Sequence, residues 1–330
     1  MKFLIAGLGS IGRRHLRNLR ALGEDDILLY RTHQSTLPDD ELAGLSIETD
    51  LQAALSYHPD AVIVANPTAL HMEVAIQSAL AGCHLLIEKP VSNTLERVDE
   101  LEAALRATGK QALVGFQFRF HPGLQQVVNL LANGELGRPL TVRAHWGEYL
   151  ADWHPWEDYR QSYSARADLG GGVLLTLCHP FDYLRWILGE ITSLWAFTGK
   201  LGDLELEVED TAEIGLRFEQ GLLGSLHLDY NQRPASHTLE VIGTQGTLNW
   251  SNTDGAVHWY NATGQSWHEY LLAPGFERNE MFKAEMNHFL DVVHGEAQPV
   301  CGIADGRRVI ELVLAAQVSM KEKKMVDFAH

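Results

Sequence analysis

The sequence predicts a two-part α/β protein. A doubly wound parallel sheet comes first, followed by an α+β domain built on a large, open, mostly antiparallel sheet. Three observations carry that prediction. The chain has 330 residues, enough for two domains at roughly 150 residues each. Its first 120 residues alternate short apolar runs with longer amphipathic stretches, as a parallel sheet covered on both faces requires. Beyond Gly137-Arg138-Pro139 the pattern shifts to closely spaced strand-like runs separated by turn residues.

Residues 2–6, 27–31, 61–65, 84–88 and 112–116 are apolar runs bounded by Gly, Pro or charge, so they read as buried strands. The first of these follows Met1-Lys2 as a signal-peptide core would. It is too short for one, and Arg13, Arg14 and Arg17 follow at once, so it is expected to be a core strand. Helical periodicity fills the intervals at 13–22, 50–57, 69–81 and 94–108. The second part begins with a strand at 140–146, a loop dense in Trp, Tyr and His, and one long helix over 172–188. Strands are then expected at 191–199, 211–218, 222–230, 237–242, 246–250, 256–260 and 266–271, with turns such as Glu219-Gln220-Gly221 between them. Helices at 278–294 and 304–321 close the chain and are free to pack back on the first domain. The expected domains are therefore residues 1–120 and 121–330. A sheet this wide needs its outer face covered, so a homodimer or homotetramer through the C-terminal sheet is expected.

Composition narrows the function. Lys plus Arg is 26 and Asp plus Glu is 43, a net charge of −17. Such a chain repels phosphate backbones, which argues against nucleic-acid and anionic-membrane partners. There is no apolar run long enough to span a bilayer. Cys83, Cys178 and Cys301 are sparse and far apart, as suits a reducing cytoplasm, and no C-x-x-C suggests a bound metal.

Gly7-Leu8-Gly9-Ser10-Ile11-Gly12 is a G-x-G-x-x-G run between a predicted strand and a predicted helix, the context in which it signals a dinucleotide site of the Rossmann type. Gly7 permits the tight turn, Gly9 the close approach of a pyrophosphate, and Gly12 the packing of helix on strand, while the helix start offers amide donors. Cofactor choice is read about 20 residues on, at the end of the second strand. Tyr30-Arg31-Thr32-His33 stands there, and Asp25 and Asp26 lie at the strand's other end. Without a carboxylate, a 2′-phosphate is not repelled and Arg31 is placed to pair with it, which favours NADP over NAD. Stacking of Arg31 on adenine, compatible with NAD, is the alternative.

Asn66-Pro67, His71 and Glu88-Lys89-Pro90 follow predicted strands, so they fall at the carboxyl edge where doubly wound sheets bind ligands. A surface Lys opening a loop is the plain reading of Lys89; a group acting on substrate is the functional one. Together with Gly7–Gly12, Ala79-x-x-Gly82, Gly170-Gly171-Gly172, His179, Asp182 and Leu188-Gly189, these motifs resemble, in order and spacing, the Gfo/Idh/MocA oxidoreductases over essentially the whole chain. The resemblance implies NAD(P)-dependent interconversion of a sugar-like hydroxyl and carbonyl. It implies Lys89 as the catalytic Lys of Glu-Lys-Pro, often before a cis peptide, with His179 and Asp182 as the second catalytic motif. Gly7, Gly9, Ser10, Ile11, Gly12, Arg31, Thr32, Asn66, Pro67, His71, Glu88 and Lys89 are the expected cofactor contacts. One departure stands out. Many members carry an Asp three or four residues before this His, where Leu175 and Thr176 stand here. Either Asp182 then orients His179, or acid–base chemistry rests mainly on Lys89.

The segment Trp153 to Tyr163 packs aromatic and charged side chains together. Aromatic faces stack on sugar C–H faces and Arg or Tyr bonds hydroxyls, so Trp156, Tyr159, Arg160 and Tyr163 are expected at substrate, with Lys89, Arg119, Thr176 and His179. His121 is a weaker expectation at the same edge, and Arg233 is expected at an interface. The spacing of this segment's His and acids supports no metal. Two alternatives to a sugar oxidoreductase are a catalytically silent NAD(P)-sensing regulator of the same fold and a reductase of a non-sugar cyclic alcohol or imine.

Overall fold

The computed structural model describes residues 1–32, 37 and 40–328. In chain order its first half comprises β1 (Phe3–Ala6), α1 (Ser10–Ala21), β2 (Ile27–Tyr30), β3 (Ser46–Glu48), α2 (Leu51–Leu55), β4 (Ala61–Val64), α3 (His71–Leu80), β5 (His84–Glu88), α4 (Val98–Thr108), β6 (Ala112–Gly115), α5 (Pro122–Ala132) and β7 (Pro139–Gly147). There follow α6 (Val173–Thr176), α7 (His179–Leu188), β8 (Ile191–Gly199), β9 (Thr211–Phe218), β10 (Leu223–Asp229), β11 (Ser236–Gly243), β12 (Gly246–Ser251), β13 (Val257–Asn261), β14 (Ser266–Tyr270), α8 (Asn279–His294), α9 (Ile303–Glu322) and β15 (Val326–Asp327). The chain forms two compact units. One comprises Met1–Phe116, Asp168–Gly170 and Arg278–Ile310, the other Gln117–Ala167, Gly171–Glu277 and Glu311–His330.

The first unit is a six-stranded parallel sheet in the order β3-β2-β1-β4-β5-β6. Every residue of β1, β4 and β6 is buried, which is why these strands are continuously apolar rather than alternating. Strand order reverses between β1 and β4, the position at which such sheets open a ligand crevice. Edge strand β3 escaped the sequence reading because two of its three residues are exposed, so no apolar run marks it. α8 lies against α1, with Asn279 Nδ2 donating to Asn18 Oδ1 at 2.9 Å and the Arg14 guanidinium 4.3 Å above the Phe282 ring.

The second unit holds a nine-stranded sheet, β14-β13-β12-β11-β7-β10-β9-β8-β15. Its strands alternate buried and accessible residues, as a sheet with one packed and one open face must. All pairs are antiparallel except β7 with β10, which run parallel. The sheet is therefore mostly antiparallel, as expected, with a parallel pair at its centre that the sequence pattern did not signal. Two further differences concern helices. The predicted helix over 172–188 is broken at Leu177-Cys178 into α6 and α7, and Pro180, lacking an N–H, fits only the first turn of α7. Helix α5 was not foreseen, although Pro122 at its start and buried Leu124, Val127 and Leu130 at helical spacing mark it. His121 serves as its cap, Nδ1 accepting from Gly123 N at 3.0 Å. Burial pulls the His121 pKa down to about 4. His121, the weaker expectation at substrate, is thus engaged as a helix cap. Among the described residues no helix is long and apolar enough to cross a membrane.

Candidate active site

The carboxyl edge of the parallel sheet gathers the first set of residues. Gly7 follows β1 at φ +95°, and a Cβ there would collide with the backbone of Ala65 and Asn66. A Cβ on Gly12 would strike the Gly7 carbonyl. These two glycines are thus required by the chain's own packing. Gly9 is different: a Cβ there would meet no atom within 4 Å. The open side of Gly9 is what a backbone cradle for a pyrophosphate needs, so the residues fit a dinucleotide. α1 starts at Ser10 with no side-chain cap and no acidic residue in its first turn, leaving its amides and positive dipole end to an anion. Arg13 pins the loop from behind, Nε donating to the Leu8 carbonyl at 3.1 Å.

Asn66, Pro67 and Lys89 share this edge, following β4 and β5. The Lys89–Pro90 peptide is cis, as the family resemblance implied. His71, expected among the cofactor contacts, has a buried ring that faces main chain of both loops, Nδ1 lying 3.0 Å from the Pro90 carbonyl and Nε2 2.8 Å from the Asn66 carbonyl. Burial lowers its pKa against the pull of these carbonyls, and the ring bridges the Asn66 and Pro90 main chain.

Behind Lys89 lies a buried acid cluster that sequence reading missed in part. Glu88 Oε1 is 2.7 Å from His15 Nε2. Burial pushes the Glu88 carboxyl up, but His15 and the Lys89 charge outweigh that and hold it below the usual range. Glu285, on α8, is fully buried with no partner for either carboxylate oxygen. Burial, reinforced by the Glu88 charge, raises the Glu285 pKa well above the usual value. Its sequence signal was a carboxylate on the apolar stripe of Met281, Phe282, Met286 and Phe289. His15 had no comparable signal.

In the second unit Arg119 and Asp182 form a buried bidentate ion pair. Arg119 Nε lies 3.0 Å from Oδ2, and Nη2 lies 2.7 Å from Oδ1. His179, at the start of α7, rests on an aromatic floor. Phe118 meets it edge-on at 5.1 Å and Trp146 lies 5.6 Å away. Thr176, where the resemblance led to the expectation of an Asp, is buried at the end of α6. The glycine triplet has a packing cause. A Cβ on Gly171 would collide with the carbonyl of Tyr163 and crowd those of Ser164 and Arg166, and Gly172 adopts φ +110°.

The aromatic loop is more exposed than its composition suggested. Trp156 is 62% exposed. Arg160 pairs with Asp158 and Glu205, and Glu205 N donates to Tyr159 Oη at 3.1 Å. Asp158, Tyr159, Arg160 and Glu205 are thus tied to one another at the surface. Tyr163 is half-buried at the start of a short 3₁₀ turn, Tyr163–Ala165. The Arg233 guanidinium stacks 3.9 Å above the Tyr149 ring. Arg31 is buried directly after β2, and Thr32 is exposed. His33, beside them, lies outside the described residues.

Residues 1–116 match the model of an oxidoreductase family with an NAD-binding Rossmann fold, and residues 124–249 match the GFO/IDH/MocA C-terminal domain. The chain belongs to the Gfo/Idh/MocA family and is an NAD(P)-binding dehydrogenase or reductase. It is 28% identical to myo-inositol 2-dehydrogenase of Thermotoga maritima over 346 aligned residues, covering 99% of this chain and 98% of that one. It is also 28% identical to the 1,5-anhydro-D-fructose reductase of Ensifer adhaerens, covering 79% of each chain. A solved levoglucosan dehydrogenase in complex with NADH shares the fold, with a TM-score of 0.89 at 20% identity over 100% of this chain and 99% of that one.

Proposed function

We propose that this chain moves a hydride between a nicotinamide cofactor and a ring hydroxyl of a cyclic polyol or sugar, with Lys89 and His179 as its acid–base groups. The observation that carries this reading is the placement of Lys89 at the same carboxyl edge as the Gly9 cradle. The relatives named for inositol and anhydro-sugar chemistry supply the substrate class. A nicotinamide cofactor held at the Gly7–Gly12 loop and the start of α1 would supply the hydride acceptor for oxidation and the donor for reduction. Lys89 or His179 accepts the hydroxyl proton as the carbonyl forms, and a protonated Lys89 stabilises the developing alkoxide. His71 and Glu88 position Lys89 rather than touch the reacting atoms. The Phe118 and Trp146 rings limit how far the His179 ring can turn. The test is a turnover screen of inositols, anhydro sugars, free hexoses and nucleotide sugars with both cofactors. Reduced cofactor should appear with a cyclic polyol or sugar and with no acyclic alcohol.

NADP is the proposed preferred cofactor. Tyr30 stands where a ribose-binding carboxylate is usual, and Arg31 follows it. A charge-assisted contact of about 1.5–3 kcal/mol gives a roughly ten- to hundredfold preference. Titration of both cofactors should show it in the wild type, with Arg31→Ala removing most of it. Equal weakening of both cofactors, or tighter NAD(H) binding in the wild type, contradicts the assignment.

Self-association through the open sheet face completes the proposal. Trp195, Phe197 and Leu223 are exposed there, the first two in edge contact at 5.0 Å. Light scattering should give a multiple of the 36.8 kDa chain mass. A monomer at micromolar concentration contradicts it.

A further inference from the structure

The open face of the large sheet carries a donor cluster that hydride transfer does not use. His145 on β7 and His227 on β10 stand directly opposite each other across the parallel pair. Their rings stack at 4.6 Å with planes 12° apart. Two residues further along both strands, Gly147 faces Asp229. A Cβ on Gly147 would collide with both Asp229 Oδ2 and Gln232 Oε1, so these two acceptor oxygens converge on the space that a side chain there would fill. Asp229 Oδ2 lies 2.9 Å from His227 Nε2, and Gln232 Oε1 is bonded to His145 Nε2. Two imidazole nitrogens, a carboxylate oxygen and an amide oxygen thus lie in paired contact beside Gly147. The His145, His227 and Asp229 donor atoms all lie within 4.8 Å of one another.

The surroundings hold these groups in a ligating arrangement. Glu213, opposite His227 on β9, has Oε1 2.6 Å from His227 Nδ1. A carboxylate on Nδ1 keeps the proton there and turns the Nε2 lone pair toward the cluster, the usual support for a metal-bound His. Nε2 then faces Asp229 Oδ2, and two acceptors at that distance need a cation between them: a second proton or a metal ion. Asn231 N donates to Asp229 Oδ1 at 2.7 Å, which fixes the carboxylate and leaves Oδ2 for the cluster.

We propose that His145, His227, Asp229 and Gln232 form a binding site for a divalent transition metal, with Zn²⁺ as its natural fit. Tetrahedral Zn²⁺ takes imidazole nitrogen and carboxylate oxygen at about 2.0–2.2 Å, which places donors roughly 3.4 Å apart. Reaching that spacing needs the His227–Asp229 contact at 2.9 Å to open slightly and the stacked His145 and His227 rings to turn so that both Nε2 lone pairs meet at one ion. Four protein ligands leave no open position, so the site is structural, tying β7, β10 and the turn after β10 together. Because the ligands come from strands β7 and β10 and the following turn, the site exists only in the folded chain, and the bound ion stabilises that state.

The test uses untagged full-length protein, stripped with chelator and titrated with Zn²⁺ by calorimetry and with Co²⁺ by visible absorption. One ion per chain should bind with micromolar or tighter affinity. Co²⁺ should give the intense visible bands of a four-coordinate site, and Zn²⁺ should raise Tm. His145→Ala and His227→Ala should each weaken binding at least tenfold and abolish the Tm increase. Glu213→Gln, which leaves all four ligands in place, should weaken Zn²⁺ binding about 10–100-fold. That variant decides the matter if a ligand variant fails to fold. His268→Ala, at an exposed histidine outside the cluster, should leave binding unchanged. Absence of saturable Zn²⁺ binding below millimolar concentration in the wild type overturns the proposal. Wild-type affinity in a folded His227→Ala or in Glu213→Gln overturns it equally.

Discussion

Lys89→Ala lowers kcat by about 10²–10⁴-fold, the usual cost of removing one acid–base group, while NAD(P)H still binds. The substitution removes both the proton acceptor and the positive charge at the carboxyl edge of β5. It leaves the Gly7–Gly12 loop and the start of α1 as they are, and these are the parts that would hold the cofactor. Lys89→Arg separates the two contributions. Arginine keeps the charge but does not release a proton near neutral pH, so it should restore alkoxide stabilisation without restoring proton transfer. Steady-state kcat on a substrate found in the screen, measured beside the Kd for reduced cofactor, checks both variants. Near-normal kcat in Lys89→Ala removes Lys89 from the chemistry.

Breaking the Arg119–Asp182 pair carries the largest expected loss of stability. Arg119 is 8% exposed and Asp182 1%, and the guanidinium donates from both Nε and Nη2 to the carboxylate. Asp182→Ala leaves a buried guanidinium without its counter-ion, which costs about 3–5 kcal/mol. For a unit of this size that lowers Tm by about 6 °C or more. Replacing both partners by apolar side chains of similar volume, Arg119→Met with Asp182→Leu, should recover most of the loss, because no uncompensated charge remains. Thermal unfolding of the two single variants and the double variant in matched buffer checks this. A double variant no more stable than the singles shows that the pair holds more than its own charge. Because Asp182 follows His179 by one helical turn on α7, both single variants should also lower kcat.

What the sequence disclosed, and what it hid, follows from the range of each interaction. The parallel sheet was legible because β1, β4 and β6 are buried on both faces, and burial of that kind writes itself as unbroken apolar runs. Gly7 and Gly12 were legible because steric need fixes glycine within a few residues of a strand and a helix. β3 was hidden because an exposed edge strand demands no apolar residues. Asp182 was recognised as part of a motif, but its partner was not. Arg119 lies 63 residues away, and no local rule joins them. Glu285 was marked only by its place on the apolar stripe of α8, and His15 escaped because its partner Glu88 lies 73 residues away. The cluster of His145, His227 and Asp229 depends on the one parallel pairing in a sheet that reads as a meander.

Transfer of an isotopic label tests the central claim most directly. A cyclic polyol or sugar from the screen, deuterated at its carbinol carbon, is incubated with enzyme and oxidised cofactor, and the recovered cofactor is weighed by mass spectrometry. Direct hydride transfer predicts one deuterium at nicotinamide C4 for each carbonyl formed, at a rate reduced by about 10²–10⁴ in Lys89→Ala. Cofactor that binds but acquires no deuterium from any member of the substrate panel contradicts the account, and marks the chain as a binder of NAD(P) without turnover.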